Sequence, residues 1–183
     1  AGTLEDNQTG QILAMMGSRD FNYPGFGQDN AATAYIQPGS SIKPLVYAEL
    51  FKDKGAGKQN SGSGTILRDE NIDKIYGAKL QNADRAFKGN LTIRQSLAQS
   101  RNVPVVKAMY LSGVQETLGT IRELGDTSYC TQGVEKQTGL SSAIGGSGRK
   151  QIDDGKPFAT FARNGVYKPW TSGPDVKNSA REV

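Results

Sequence analysis

The chain has 183 residues, of which 36% are hydrophobic and 22% are charged, a balance that suits one folded domain. Lys and Arg exceed Asp and Glu by four, but these cations are scattered and accompany no nucleic-acid-binding motif, so we expect no nucleic-acid partner. The single cysteine, Cys130, excludes an internal disulfide. Because the chain also has no histidine, a thiolate or imidazole metal site is not expected.

No stretch of the sequence reaches the ~20 apolar residues that a membrane-spanning helix needs. The first residues, Ala1 to Glu5, lack the pattern of a signal peptide. The sequence is therefore typical either of a soluble protein or of a piece cut from a larger one.

The first part of the chain predicts a β-hairpin followed by a helix. Residues 3–9 and 11–16 are strand-like segments on either side of Gly10. The second of these strands is almost wholly apolar, so we expect it to be central in a sheet and buried on both faces. A loop over 18–39 then leads to a helix from about 40 to 54, whose apolar residues recur at helical spacing.

Short helices are expected in the remainder. Residues 55–64 are rich in Gly and Ser and predict a mobile loop, and residues 65–90 show no regular pattern. Thr92 and Gln95 match a capping box, which predicts a helix that ends near Ser100. Three more helices are predicted: one with Pro104 in its first turn, one over 114–124 that Gly125 stops, and one over 158–163.

The missing histidines also limit the chemistry. They exclude a Ser-His-Asp triad and a Cys-His dyad, so a serine nucleophile would need another base, for which lysine is the usual substitute. A Ser-x-x-Lys motif at the start of a helix places the hydroxyl and the amine on one helical face. The free N–H groups and the dipole of the helix N-terminus would suit a developing oxyanion there.

Two Ser-x-x-Lys motifs occur, Ser40 to Lys43 and Ser147 to Lys150, where 14 serines and 13 lysines predict about one by chance. Ser147 lies among glycines, which disfavour a helix, whereas Ser40 follows a Pro-Gly pair and leads into the predicted amphipathic helix. On spacing alone the simpler interpretation is favoured, with Ser40 a helix N-cap and Lys43 a solvated first-turn lysine.

One Ser-x-Asn sequence occurs, Ser100-Arg101-Asn102, and about one is expected by chance. Its simpler interpretation is the C-terminus of a helix followed by a turn, which the following Pro104 supports. Spacing alone therefore leaves the role of both motifs open.

The residues around these motifs are more specific than the spacing. The segment Gln37-Pro38-Gly39-Ser40-Ser41-Ile42-Lys43-Pro44 resembles the active-site serine segment of class A (bifunctional) penicillin-binding proteins. The signature of that superfamily is Ser-x-x-Lys, a Ser-x-Asn-type element and Lys-Thr-Gly. Residues 10–18 are similar to the strand pair that opens the transpeptidase domain, and residues 159–169 to its later helix and strand entry. The segment with the second motif matches at Asn82, Asp84, Phe87, Gly89, Thr92, Arg94, Leu97, Ser100, Asn102, Pro104 and Val106.

Several features depart from the family pattern. The 183 residues contain no Lys-Thr-Gly, Lys-Ser-Gly or Arg-Thr-Gly, and Lys136-Gln137-Thr138-Gly139 has an inserted residue and lies too early in the chain. Leu80 and Ala83 stand where the family has Pro and Tyr. Residues 153–157, Asp-Asp-Gly-Lys-Pro, are an unusual lead-in to the last helix. In the family, the third motif lies on a later edge strand.

The resemblance implies an α+β fold, the penicillin-binding protein/serine β-lactamase-like transpeptidase fold, in incomplete form. Residues 1–183 would be one partial transpeptidase domain, with the N-terminal strand pair and a helical subdomain but without the C-terminal strands. The resemblance also implies a membrane-anchored parent protein with a glycosyltransferase domain, which acts at the extracytoplasmic face of the bacterial cell membrane.

The resemblance assigns roles to four residues. Ser40 would be the acylated nucleophile, Lys43 its base and Ser100 a proton relay to the leaving group, while Asn102 would hold the substrate amide. The partners implied are peptidoglycan stem peptides and β-lactam antibiotics, with no cofactor and no metal. Without the third motif to complete the oxyanion hole, we expect slow turnover or none, because one missing donor costs on the order of 100- to 1,000-fold.

Two other functions stay open. A serine β-lactamase is a hydrolase that carries the same first motif. A non-catalytic module that senses or binds cell-wall fragments or β-lactams would use Ser40 only as a helix cap.

Overall fold

The computed structural model describes residues 1–131 and 139–171. Helices and short strands are mixed along the chain, as expected for the α+β class. The strands are β1 (Gly2–Glu5), β2 (Ile12–Met16), β3 (Tyr35–Ile36), β4 (Ile66–Asp69), β5 (Gly89–Thr92) and β6 (Arg149–Lys150). The helices are α1 (Lys43–Leu50), α2 (Asp73–Tyr76), α3 (Ile93–Ala98), α4 (Asn102–Ser112), α5 (Val114–Glu123) and α6 (Gln151–Ala162), with 3-10 helices at Gly39–Ile42 and Leu140–Ile144.

These elements belong to two compact units. The first contains residues 1–35 and 123–126 and continues from Lys150. The second contains residues 36–122 and 127–149. All four residues of the two motifs lie in the second unit: Ser40, Lys43, Ser100 and Asn102.

In the first unit, β1 and β2 form the predicted antiparallel hairpin. The Asp6 carboxylate holds the connecting loop, because it accepts hydrogen bonds from two backbone N–H groups of that loop. Gly10 has a φ of +78°, and a side chain on it would collide with the carbonyl oxygen of Pro169. Glycine is required at this turn for both reasons.

The prediction that the second strand is central and buried on both faces is wrong. Leu13 and Met16 of β2 are 56% and 59% exposed. β1 pairs with one edge of β2, and the only other pairing of this strand region among the described residues is a parallel bridge from Gln11 to Thr171. An apolar strand is buried on both faces only where further elements cover it, and a two-stranded ribbon provides no such cover.

α6 packs against β1 and is longer than predicted, since it begins at Gln151 rather than at 158. The lead-in over 153–157 is therefore the helix itself. Acidic residues in its first turn suit the positive end of the helix dipole, and Asp153 pairs with Lys156 at 2.5 Å. Pro157 lacks an N–H group, so the helix forgoes one backbone hydrogen bond but is not ended.

The core of the second unit forms around α4, which packs against α1, β4 and the 3-10 helix at Leu140–Ile144. α4 is apolar on most of its surface, as is typical of a helix surrounded by other elements. The buried apolar residues of α4 and α1 are Val103, Pro104, Val105, Val106, Ala108, Met109, Leu45, Val46, Tyr47 and Leu50. This packing brings the N-terminal end of α1, with the Ser-x-x-Lys motif, close to the N-terminal end of α4, with the Ser-x-Asn motif.

The first predicted helix ends earlier than expected, at Leu50 instead of 54. Its first turn is a 3-10 helix over Gly39–Ile42. The Asp53 carboxylate accepts hydrogen bonds from the backbone N–H of Gly55 and from the Asn60 amide. Such local side-chain bonds offer the backbone an alternative to the helix, which accounts for the early end.

The interpretation of residues 65–90 as irregular is wrong in part. β4 pairs antiparallel with β5, from Ile66 opposite Thr92 to Asp69 opposite Gly89, and α2 lies between them. Leu67 and Asp69 are buried, while Ile66 and Arg68 are exposed. The inward position of a charged residue masks the alternation of apolar residues from which a strand is predicted.

Three other helices follow the predictions. Thr92 and Gln95 form the capping box of α3: the Thr92 hydroxyl accepts the backbone N–H of Gln95 at 3.2 Å, and the side-chain oxygen of Gln95 accepts the backbone N–H of Thr92 at 3.0 Å. Pro104 lies in the first turn of α4, and Gly125 follows the end of α5. In the part of the chain that the structure describes, no helix is long and apolar enough to cross a membrane.

The capping box makes a testable contribution to stability. We expect Thr92→Ala to lower the free energy of unfolding by about 1 kcal/mol, because it leaves the Gln95 N–H without its acceptor. Thr92→Ser keeps the hydroxyl and should change it by less than about 0.5 kcal/mol. Urea denaturation followed by circular dichroism measures both, and equal stabilities of the Ala and Ser variants would contradict the assignment.

Candidate active site

Ser40 lies in the 3-10 helix that runs into α1, and its side chain is exposed. The backbone carbonyl of Ser40 accepts the N–H of Lys43, so the two motif residues are one turn apart. Neither this 3-10 helix nor α1 has a side-chain cap at its start. Within the described residues the Ser40 hydroxyl makes no hydrogen bond, so the geometry does not favour the alternative that Ser40 is a simple N-cap.

The backbone around Ser40 is held by close contacts from the Gly/Ser-rich segment 139–148. Gly145 has a φ of +78°, and a side chain on it would lie 2.3 to 2.6 Å from backbone atoms of Gly39. On the other side, the Ser41 hydroxyl donates to the Pro38 carbonyl at 3.1 Å and accepts from Arg149 at 2.9 Å. No sequence motif marks Gly145 or Arg149, which lie more than 100 residues after the serine in the chain.

Lys43 is buried, with 1% of its surface exposed. Its amine nitrogen lies 2.6 Å from the Ser100 carbonyl oxygen, 3.1 Å from the Ser100 hydroxyl and 2.8 Å from the side-chain oxygen of Asn102. The structure thus brings together three of the four residues that the motifs predicted. Ser40 stands one helical turn away, without a direct hydrogen bond to the amine among these contacts.

The three contacts of Lys43 match its chemistry. A protonated amine has three N–H donors and no acceptor, and here it meets three oxygens. The Ser100 carbonyl and the Asn102 amide oxygen can only accept, whereas the Ser100 hydroxyl can also donate. When Lys43 loses its proton, the hydroxyl can turn and donate to the nitrogen, so a proton path between Lys43 and Ser100 is available.

The environment makes this loss of a proton easier than in water. Burial, and after it the positive charge of Arg101, lowers the pKa of Lys43 from 10.5 to about 8. At pH 7 about one amine in ten is then neutral, compared with about one in three thousand at the ordinary pKa. A lysine in this state can serve as a general base near neutral pH.

The turn between α3 and α4 presents Ser100 and Asn102 to the lysine. Ser100 has a φ of +52°, a left-handed conformation that is unfavourable for a residue other than glycine. The Asn102 amide nitrogen donates to the carbonyl of Gln81 at 2.8 Å. That contact orients the amide so that its oxygen, and not its nitrogen, faces Lys43.

A buried polar cluster lies behind this turn. The Asn82 side-chain oxygen accepts the backbone N–H of Asn102 at 2.8 Å, and the Asn82 nitrogen donates to Asp69 at 2.9 Å. Both residues are almost fully buried. Asn82 belongs to the segment of the sequence that resembles the family. Asp69 lies in β4, a strand that was not predicted, and no motif in the sequence marks it as a functional residue.

The other motif-like segments give no second site in the described residues. Ser147 lies in a bend and Lys150 in β6, so they do not share a helical turn. The residues Lys136 to Thr138 of the Lys-Gln-Thr-Gly segment lie outside the described residues. No group of three or more Asp, Glu, Cys or His side chains in the described part of the chain could hold a metal ion.

Comparison with known proteins identifies the family. The family model of the penicillin binding protein transpeptidase domain matches residues 1–147. Penicillin-binding protein 4 of Bacillus subtilis is 30% identical over 172 residues, which cover 90% of this chain and 25% of that protein. Penicillin-binding protein 1A of Escherichia coli is 30% identical over 169 residues, which cover 89% of this chain and 18% of that protein. The chain thus spans a quarter or less of these relatives.

Solved structures share the fold. PonA1 of Mycobacterium tuberculosis in complex with penicillin V has a TM-score of 0.73 at 22% identity, over 91% of this chain and 44% of that one. The transpeptidase domain of penicillin-binding protein 3 from Burkholderia pseudomallei has a TM-score of 0.70 at 18% identity, over 98% and 54%. The match of the family model and the shared fold confirm the resemblance seen in the sequence, and the chain belongs to the transpeptidase-domain family of penicillin-binding proteins.

Proposed function

We propose that the chain is a serine D,D-transpeptidase domain that crosslinks peptidoglycan stem peptides and is acylated by β-lactams. The observation that carries the proposal is the buried Lys43 amine, which meets Ser100 and Asn102 within 3.1 Å one helical turn from the exposed Ser40. A nucleophile, a base with a lowered pKa and a second hydroxyl within reach of that base are the parts that histidine-free acyl transfer requires.

In the first step, neutral Lys43 takes the hydroxyl proton of Ser40, and the serine oxygen bonds to the carbonyl carbon of the penultimate D-Ala. The bond between that carbon and the nitrogen of the terminal D-Ala breaks. The leaving nitrogen receives the proton from Lys43 through the Ser100 hydroxyl, which lies 3.1 Å from the amine. Asn102 holds the substrate amide, and the backbone N–H of Ser40 donates to the oxyanion.

In the second step, an amine from a neighbouring stem peptide attacks the acyl-enzyme. It forms the new amide bond, gives up its proton along the same path and releases the Ser40 oxygen. Because the 183 residues contain no Lys-Thr-Gly motif, a second oxyanion donor from that motif is not supplied by this chain. We expect slow turnover for that reason, since one donor accounts for on the order of 100- to 1,000-fold in rate.

The relatives give this proposal its biological setting. Residues 1–183 would form a partial transpeptidase domain of a membrane-anchored parent with a glycosyltransferase domain, at the extracytoplasmic face of the bacterial membrane. The names of the relatives support a role in binding penicillin, and a structural neighbour from Mycobacterium tuberculosis is described as an acyl-enzyme complex. Fast hydrolysis of penicillin would instead favour a β-lactamase, and a folded chain that never forms an acyl-enzyme would favour a sensing module.

Covalent labelling tests the nucleophile. We expect incubation with benzylpenicillin to increase the intact mass by one drug molecule, because the antibiotic acylates Ser40. Ser40→Ala should abolish the gain, whereas Ser147→Ala, in the other Ser-x-x-Lys motif, should keep it. Labelling that persists in the Ser40 variant would sink the assignment.

The pH dependence of acylation tests the base. Only neutral Lys43 can accept the Ser40 proton, so we expect the second-order rate to rise about tenfold per pH unit below pH 8 and to level off above it. Stopped-time labelling with a fluorescent penicillin between about pH 6 and pH 9 measures this profile. Lys43→Arg, which stays protonated throughout, should remove the rise, and a flat profile in the unaltered chain would argue against Lys43 as the base.

A further inference from the structure

Arg101 stands between the two residues that contact Lys43, but its own side chain lies on the other side of the turn. It is 3% exposed, while Ser100 and Asn102 present their oxygens to the lysine. A guanidinium group in such a position is unfavourable unless its donors are satisfied and its charge is balanced. The groups that satisfy it therefore determine where the turn can lie.

Two carboxylates and a carbonyl surround the Arg101 guanidinium. Its Nε and Nη2 atoms lie 2.9 and 2.7 Å from one oxygen of Asp69, which is 1% exposed. Nη1 lies 2.7 Å from Asp84, and Nη2 also donates to the carbonyl of Ala86. The planar group with five fixed donors suits this set of acceptors, and the single ammonium of lysine could not reproduce it.

Asp69 is also connected to the turn through hydrogen bonds of Asn82. Its other oxygen accepts from the Asn82 amide at 2.9 Å, and the Asn82 oxygen accepts the backbone N–H groups of Asn102 and Val103 at 2.8 and 3.4 Å. The first turn of α4 is thus held through a side chain and through the backbone. Both routes converge on one buried carboxylate.

We propose that Asp69, Asn82 and Arg101 are positioning residues that hold Ser100 and Asn102 at the distances at which they accept the Lys43 amine. This inference rests on the proposed function. The left-handed Ser100 is an unfavourable conformation that persists only where the surroundings impose it. A misplacement of about 1 Å at such a turn can lower a rate by about 100-fold.

The charges around Arg101 define what its removal would do. Asp69 and Asp84 face the guanidinium, and Lys88 lies 3.8 Å from Asp84 at the surface. From α1, Lys43 and the buried Tyr47 face the same region, and the positive charge of Arg101 lowers the pKa of Lys43. Loss of the arginine would remove a positive charge near Lys43 and would leave the negative charges of the carboxylates unbalanced. Each of these two effects favours the protonated form of Lys43.

Two variants separate placement from charge. Arg101→Lys keeps the positive charge but loses the planar set of donors, and Arg101→Met loses both. Circular dichroism and thermal melting establish that each variant is folded. The rate of benzylpenicillin acylation is then measured against pH, and the titration of the Lys43 ε-carbon is followed by NMR with 13C-labelled lysine, the resonance being assigned with Lys43→Arg.

We expect Arg101→Lys to lower the acylation rate by about 100-fold with the same pH midpoint, because the turn is misplaced while the charge remains. Arg101→Met should lower the rate and also raise the midpoint, because it removes the positive charge that lowers the pKa of Lys43. Should both variants unfold, Asp84→Asn, which weakens one partly exposed contact, should still lower the rate in a folded protein.

Glu70→Gln is the matched control. Glu70 follows Asp69 in the chain and pairs with Lys107 and Arg68 at the surface, so its loss should leave rate and midpoint unchanged. A folded Arg101→Met variant with the parental rate and midpoint would overturn the proposal. If the unaltered chain is not acylated at all, the proposed function fails, but a crystal structure of Arg101→Lys still decides the positioning role. Oxygens of Ser100 and Asn102 that are displaced from the Lys43 amine support that role, and unchanged distances of 2.6 to 3.1 Å refute it.

Discussion

Burial of the Lys43 amine is the constraint to which the rest of the second unit conforms. An amine with 1% of its residue surface exposed must find acceptors inside the protein, because a buried charge without partners costs several kcal/mol. It finds three, two on Ser100 just before α4 and one on Asn102, the first residue of α4. Apolar packing brings α1 and α4 together, but many arrangements of two helices would bury similar area. The polar contacts of Lys43 select the one in which both motifs meet.

The kind of acceptor matters as much as the number. A carbonyl, a hydroxyl and an amide oxygen contact Lys43, and all three are neutral. A carboxylate at the same distance would stabilise the ammonium form and raise its pKa. The nearby buried carboxylate, Asp69, is instead occupied by Arg101 and Asn82. The site thus keeps negative charge away from the lysine and a positive charge near it, an arrangement in which the amine gives up its proton at moderate pH.

The fold was predictable where a signal is local. The capping box of Thr92 and Gln95 and the glycine that stops α5 act within a few residues, and the structure confirms both predictions. β4 and β5 depend on partners distant in sequence, and the buried Asp69 interrupts their apolar pattern, so they were missed. The exposed β2 and the early start of α6 were mispredicted for the same reason. The apolar run of β2 and the proline of α6 were interpreted from the local sequence alone. The burial of a strand and the extent of a helix also depend on the elements that pack against them.

By itself, the sequence determined which chemistry was possible and where the candidate residues lie. The absence of histidine leaves lysine as the base for a serine nucleophile, and the residues around Ser40 indicate the family. Only the tertiary structure decided that Lys43 is buried and meets Ser100 and Asn102, and that Arg101 turns away from them to Asp69. A motif specifies residue types and spacing along the chain, but hydrogen-bond distances and the pKa of a buried amine depend on groups that folding brings from elsewhere.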